Sequence, residues 1–113
     1  MRGLARGVFP PGFCLPGRGG RMIRLRGHLI CLAPEDATAL IGHLDDHLHL
    51  SRATPGCLIC DITPTDDPMV FEMIEAFRDR ATFDAHQTRV RGSAWFAATR
   101  GILRDLRLEE IGD

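Results

Sequence analysis

The sequence predicts an α+β domain of the ferredoxin-like kind, a four-stranded antiparallel sheet in the chain order β-α-β-β-α-β with its helices on one face. Three observations lead there. Four segments alternate apolar and polar residues with a period of two. One long amphipathic stripe of helical period lies between the first and second of them, and a capped helical segment lies between the third and fourth. A chain of 113 residues has room for one such domain and not for two.

The first strand is expected within Met22–Leu32, where Ile23, Leu25, Gly27, Leu29 and Cys31 alternate with Arg24, Arg26, His28 and Ile30. Ala33-Pro34-Glu35-Asp36 then supplies proline and two acids for a first helical turn, whose exposed amides favour both. Ala37, Leu40, Ile41, Leu44 and Leu48 form one apolar stripe, with Asp45, Asp46 and His47 expected to face solvent. This helix should end near Arg52, before the turn signal Thr54-Pro55-Gly56. The short apolar run Cys57–Thr63 predicts the second strand, and the breakers from Pro64 to Pro68 predict a hairpin loop. Met69–Phe77 returns with Phe71, Met73, Glu75 and Phe77 on one face. Asp79 is a candidate N-cap for a helix carrying Phe83 and His86, and Gly92 separates it from a second helical piece starting at Ser93. Gly101–Ile111 predicts the last strand, with Leu106 and Leu108 sharing a face.

The domain is therefore expected over residues 22–111, preceded by a flexible Arg/Gly/Pro-rich leader over residues 1–21. The leader holds six Gly, three Pro and four Arg without an acid, too little apolar surface to offset its ordering entropy. Met22, where the pattern begins, is a candidate translation start. The rest of the chain sets ten Arg against fifteen acids, and this mildly acidic surface argues against a nucleic-acid partner. No apolar run approaches the ~20 residues that cross a bilayer, so no membrane span is expected. Cys14, Cys31, Cys57 and Cys60 do not form a disulfide framework, and the cytoplasm is the expected compartment. The small core predicts that the second sheet face is buried against a twin subunit, giving a homodimer.

Two side-chain groupings invite a metal or redox reading. His43 and His47 have the i, i+4 spacing of a helical metal pair, with His49 close behind, but they sit beside Asp45 and Asp46 on the expected solvent face. Cys57 and Cys60 have CxxC spacing, but on a regular strand they would point to opposite faces. No metal or cofactor is expected from either. Glu75 is expected either as a buried carboxylate or as the partner of an arginine such as Arg89 or Arg91. His28 shares its strand face with Arg24 and Arg26, which suits an interface.

Arg52-Ala53-Thr54-Pro55-Gly56-Cys57-Leu58, Asp67-Pro68, Glu75-Ala76-Phe77-Arg78-Asp79, Phe83-Asp84-Ala85-His86-Gln87 and Ser93-Ala94-Trp95, in that order over residues 22–109, resemble the antibiotic biosynthesis monooxygenase family. The resemblance implies a dimeric α/β barrel that oxidises quinol-like or polyketide-like aromatic compounds with O2 and without a cofactor. It implies His86 as the catalytic proton acceptor, and Phe77, Phe83, Trp95 and His28 as pocket residues. Such a reaction needs the substrate as an anion, which an imidazole with an ordinary pKa of ~6.5 can generate near neutral pH. The chain has no tyrosine, and Cys60 stands where relatives often carry one, so a mechanism through a phenol hydroxyl of the protein is closed to it. The haem-degrading branch resembles this fold too, but its pattern of Asn, Trp and His is not matched. Two other readings follow from the same fold: a dimer that holds a hydrophobic ligand without turnover, and an isomerase of a small carbonyl compound, which would need Arg89 or Arg91 inside the pocket.

Overall fold

Alternation in the strands and the helical stripe between them build the architecture directly. The computed structural model describes residues 21–112, and the leader expected over residues 1–21 lies, Arg21 apart, outside them. The elements are β1 (Met22–Ile30), α1 (Pro34–Arg52), β2 (Cys57–Pro64), β3 (Val70–Phe77), α2 (Arg80–Arg91), α3 (Ala94–Ala98) and β4 (Leu103–Ile111). The strands pair antiparallel in the order β2-β3-β1-β4, so the chain has the predicted ferredoxin-like fold. No described helix is long and apolar enough to cross a membrane.

Each helix begins where its first amides find an acceptor. The Asp36 carboxylate accepts from the backbone N–H groups of Leu32 and Ala33 (3.1 and 3.2 Å) ahead of Pro34, the first residue of α1. Asp79, the expected cap of α2, accepts from the Thr82 N–H at 2.8 Å. The Ser93 hydroxyl accepts from the Phe96 N–H at 3.1 Å and starts α3 immediately after Gly92 closes α2.

The inward faces of β1 and β3 carry the core. Leu29, Phe71, Met73 and Ile62 meet Leu40 of α1, Trp95 of α3 and Ile102, while Ile23, Phe77 and Phe83 form a smaller adjoining cluster. One expectation needs correcting here. Ile41 is 60% exposed, and the buried stripe of α1 runs through Leu40, Leu44, His47 and Ser51. Positions 40, 44, 47 and 51 follow the helical period as well as the purely aliphatic set does, and packing onto the sheet selected them although two are polar. Leu106 and Leu108 share a face of edge strand β4, where Leu106 packs on the core and Leu108, nearer the strand's end, is exposed.

The second face of the sheet presents a mosaic of charge. Arg24 is buried and pairs with Glu109 at 2.5 Å, and Arg26 reaches the same carboxylate at 3.6 Å. His28 is exposed on this face, in register with Glu72 on one side and Asp105 on the other.

Candidate functional site

The site grows from β3. Its alternation sends Glu75 to the helical side between Met73 and Phe77, where water is excluded and the carboxylate is only 3% exposed. Cys60 lies directly across from Glu75 on β2, and its thiol donates to Glu75 Oε2 at 3.7 Å. A β-bulge between Cys57 and Ile59 resets the pairing, so Cys57 faces Phe77 and Cys60 faces Glu75. Both cysteines therefore take the inward side, where an unbroken strand would have separated them.

Two imidazoles converge on the same carboxylate from different helices. His86 of α2, 1% exposed, brings Nε2 to 3.7 Å from Glu75 Oε1. His47 of α1, 4% exposed, brings Nε2 to 3.9 Å from Glu75 Oε2. His47 thus points inward and not to solvent, and its ring stacks on Trp95 with centroids 4.3 Å apart and planes 11° from parallel. His43, one turn earlier, does not join it: its Nδ1 lies 3.0 Å from the Ala39 carbonyl. Trp95 is held in turn: Thr99 donates to its carbonyl at 2.8 Å, and Arg104 donates to the Thr99 hydroxyl at 2.8 Å.

Glu75, His47, His86, Trp95 and Arg104 line a chamber of about 140 Å³, together with apolar side chains such as Leu25, Met73 and Phe96 and the polar Gln87 and Arg91. A second, more apolar groove of about 220 Å³ lies on the far side of the His47–Trp95 stack and carries His43, His49 and Arg89. Of the residues expected in the pocket, His86 and Trp95 line the chamber. Phe77 lies behind the imidazole of His86 (centroids 4.7 Å apart) and meets Phe83 edge-on at 5.5 Å, so both phenylalanines support His86 from outside the chamber wall. His28 stands apart on the second face of the sheet, because strand parity places it opposite the inward set. Glu75 meets imidazoles, and Arg89 donates instead to the Ser51 hydroxyl at 3.0 Å. His47 and Cys60 were not foreseen as site residues; the signal for His47 was its place in the 40, 44, 47, 51 series.

Burial sets the protonation chemistry. His86 is held below the ordinary histidine range, first by desolvation and then by the positive Arg89 and by His47, against the opposing pull of the Glu75 charge. It is therefore neutral at pH 7 and able to accept a proton. The Cys60 thiol is pushed far up by burial and then by Glu75, and the Cys57 thiol is pushed up to about 11 for the same two reasons. Thiolate is the reactive form, so at pH 8 iodoacetamide should label Cys57 about two orders of magnitude more slowly than free cysteine, and Cys60 more slowly still. Site-resolved mass spectrometry measures this, and rapid labelling of either in the folded protein would show that the buried geometry is wrong.

The helical side of this ferredoxin-like α+β domain thus carries a small, partly open chamber with a buried carboxylate and two imidazoles at its wall. The sequence model of the antibiotic biosynthesis monooxygenase family matches residues 27–98, more than half of the chain, and the chain belongs to that family. No curated protein matches it. Among solved structures, a Bacteroides thetaiotaomicron protein of unknown function, described as a possible oxidoreductase, is similar with a TM-score of 0.65 at 19% identity, over 82% of this chain and 100% of its own. A Pseudomonas aeruginosa protein is similar with a TM-score of 0.59 at 28% identity, over 86% and 97% of the two chains. A candidate antibiotic biosynthesis monooxygenase from Chloroflexus aurantiacus is similar with a TM-score of 0.64 at 22% identity, over 79% and 91%. Family membership supports monooxygenase-like chemistry in general and leaves the substrate open.

Proposed function

We propose that the protein is a monooxygenase of single-ring, electron-rich phenols of the hydroquinone type, with His86 as proton acceptor and Glu75 as the carboxylate whose charge favours the protonated imidazole. The observation that carries this reading is the pairing of a buried imidazole with a carboxylate 3.7 Å away, at the wall of a chamber lined by both apolar and cationic side chains. A chamber of about 140 Å³ suits one ring, since a dry protein cavity of about 150 Å³ takes up benzene. A fused polyketide exceeds it, so the hydroquinone class is favoured over the polyketide class.

The chemistry balances on substrate and O2 alone. His86 takes the phenolic proton, and the phenolate passes one electron to O2, giving a ring radical and superoxide. The two combine at a ring carbon, and loss of water from the hydroperoxide leaves a hydroxyquinone. One oxygen atom enters the ring, the other departs as water with the proton His86 holds, and the substrate supplies all four electrons that reduce O2. Arg91 and Arg104 line the same chamber and favour an anionic ring within it.

The test is O2 uptake with a hydroquinone panel, together with mass analysis of product formed under 18O2. The expected result is enzyme-dependent uptake with one labelled oxygen per product, falling by about 10²–10⁴ in His86→Ala. No enzyme-dependent uptake, or uptake indifferent to that substitution, defeats the proposal. Thermal stabilisation by the same compounds without turnover would instead support a ligand-holding role. Arg91 at the chamber also favours, as a second reading, an isomerase of a small anionic carbonyl compound. Turnover of such a compound without O2 uptake would establish that reading.

We also propose a homodimer formed across the second face of the sheet, where Arg26, Arg107, Glu72 and Asp105 surround a shallow depression and offer both signs of charge to an identical surface. Sedimentation equilibrium should give twice the 12.5 kDa chain mass, with Arg107→Glu shifting the equilibrium toward monomer. A wild-type mass of one chain at micromolar concentration would refute the dimer.

A further inference from the structure

We propose that His47, Cys60 and Glu75 form a binding site for one divalent cation of the zinc type. The three donors come from α1, β2 and β3, all are buried, and their ligand atoms lie within 4.8 Å of one another. Glu75 Oε2 is the common point, 3.9 Å from His47 Nε2 and 3.7 Å from Cys60 Sγ. Around a tetrahedral zinc ion, with bonds of about 2.0–2.3 Å, donors stand roughly 3.3–3.6 Å apart. Side-chain movements of up to about an ångström per donor would therefore close the site. The separation from His47 is too long for a direct N–H···O bond, which favours distances near 2.9 Å.

The surroundings aim the donors. Stacking against Trp95 fixes the plane of the His47 ring and leaves its Nε2 facing the carboxylate. Cross-strand register fixes Cys60 opposite Glu75. One sulfur, one imidazole nitrogen and one carboxylate suit a borderline-soft ion, whereas magnesium and calcium prefer oxygen alone. Charge supports the same conclusion. A divalent ion with one thiolate, one carboxylate and one neutral imidazole has no net charge, the arrangement a buried site tolerates best. Binding is written Cys60–SH + M²⁺ → Cys60–S–M⁺ + H⁺, with the carboxylate neutralising the remaining charge and one proton released to solvent. Three protein donors leave a fourth position for water or a small ligand. Ion binding would also draw Glu75 away from His86 and suppress the oxygenase reaction, a consequence that rests on the function proposed above, whereas binding itself does not.

The test uses the full chain, reduced and stripped with a chelator, titrated with Co²⁺ and followed by absorption. The expected result is saturation at one ion per chain with a thiolate-to-cobalt charge-transfer band, displaced by Zn²⁺. Cys60→Ser and Cys60→Ala should both lose the band, and His47→Gln should weaken binding at least about tenfold. The double substitution of His43→Gln and His49→Gln, neighbours on the same helix outside the donor set, should change neither. Thermal unfolding of each variant verifies that it is folded before titration. No charge-transfer band at several-fold excess of Co²⁺, or a band that persists in both Cys60 variants, overturns the proposal. Hydroquinone turnover is measured separately, so loss of the oxygenase reading leaves the binding result intact and the reverse also holds.

Discussion

Gly27→Ala is expected to be among the most damaging single-methyl changes in the molecule. Gly27 lies in the middle of β1 with φ at +152°, a region that only glycine occupies readily, and a Cβ placed there would stand 2.1 Å from the Asp105 carbonyl oxygen of β4. The atoms in the way are backbone, so no side-chain rotation relieves the contact. β4 would have to move, and it is joined to β1 along the whole register from Met22–Ile111 to Ile30–Leu103. The conformational strain alone is of order 1–3 kcal/mol, and the clash adds to it, taking the total into the range above about 4 kcal/mol reserved for exceptional substitutions. For a domain of this size that corresponds to a fall in Tm of roughly 15–30 °C. Gly42→Ala is the control. Gly42 is exposed on α1 with nothing within 4 Å of a built Cβ, so alanine there should stabilise by about 0.4–1 kcal/mol. Thermal unfolding followed by circular dichroism compares the two, and a Gly27→Ala protein melting within a few degrees of wild type would contradict the close approach of β1 and β4.

The fold was legible in the sequence because its signals are local. Period-two alternation in Ile23–Cys31 and Phe71–Phe77, and the caps Asp79 and Ser93, each act within a few residues and need no knowledge of distant partners. The site was legible only in part. His86 was found through the motif around it and Glu75 through strand parity, but the partner of Glu75 depended on which helices lie over β3. Arginine was the expected counter-charge, and the packed helices deliver imidazoles instead. His47 was hidden because a polar residue next to Asp45 and Asp46 looks like part of a solvated face, although its spacing from Leu40 and Leu44 places it inward. Cys57 and Cys60 were assigned to opposite faces because period two assumes an unbroken strand, and one bulge reverses that parity. His28 lies away from the chamber for the opposite reason: parity places it with Arg24 and Arg26, and the structure follows parity, setting it at the depression on the second face.

Glu75→Met should separate the two roles a buried carboxylate can have. If Glu75 were a structural ion-pair member, its removal would cost several kcal/mol, as breaking a buried pair by deleting one partner does. The geometry points elsewhere. Its imidazole partners stand 3.7 and 3.9 Å away, too far for strong charge-assisted bonds, while the full desolvation cost of a carboxylate at 3% exposure remains. Methionine has similar volume, no charge to desolvate, and joins Met73 and Phe77 on an already apolar strand face. The expected result is a Tm unchanged or raised by a few degrees together with a fall in hydroquinone turnover of about 10²–10⁴, because the imidazolium formed when His86 takes the proton loses the negative charge beside it. Phe77→Ala provides the contrast. It removes a fully buried ring beneath His86, should cost about 3–5 kcal/mol, and should depress stability and turnover together. A Glu75→Met protein that melts far below wild type would make Glu75 a structural residue, and one that turns over at the wild-type rate would remove the carboxylate from the reaction. Stability kept and catalysis lost is the outcome that a site held in place by its surroundings, rather than by its own charges, requires.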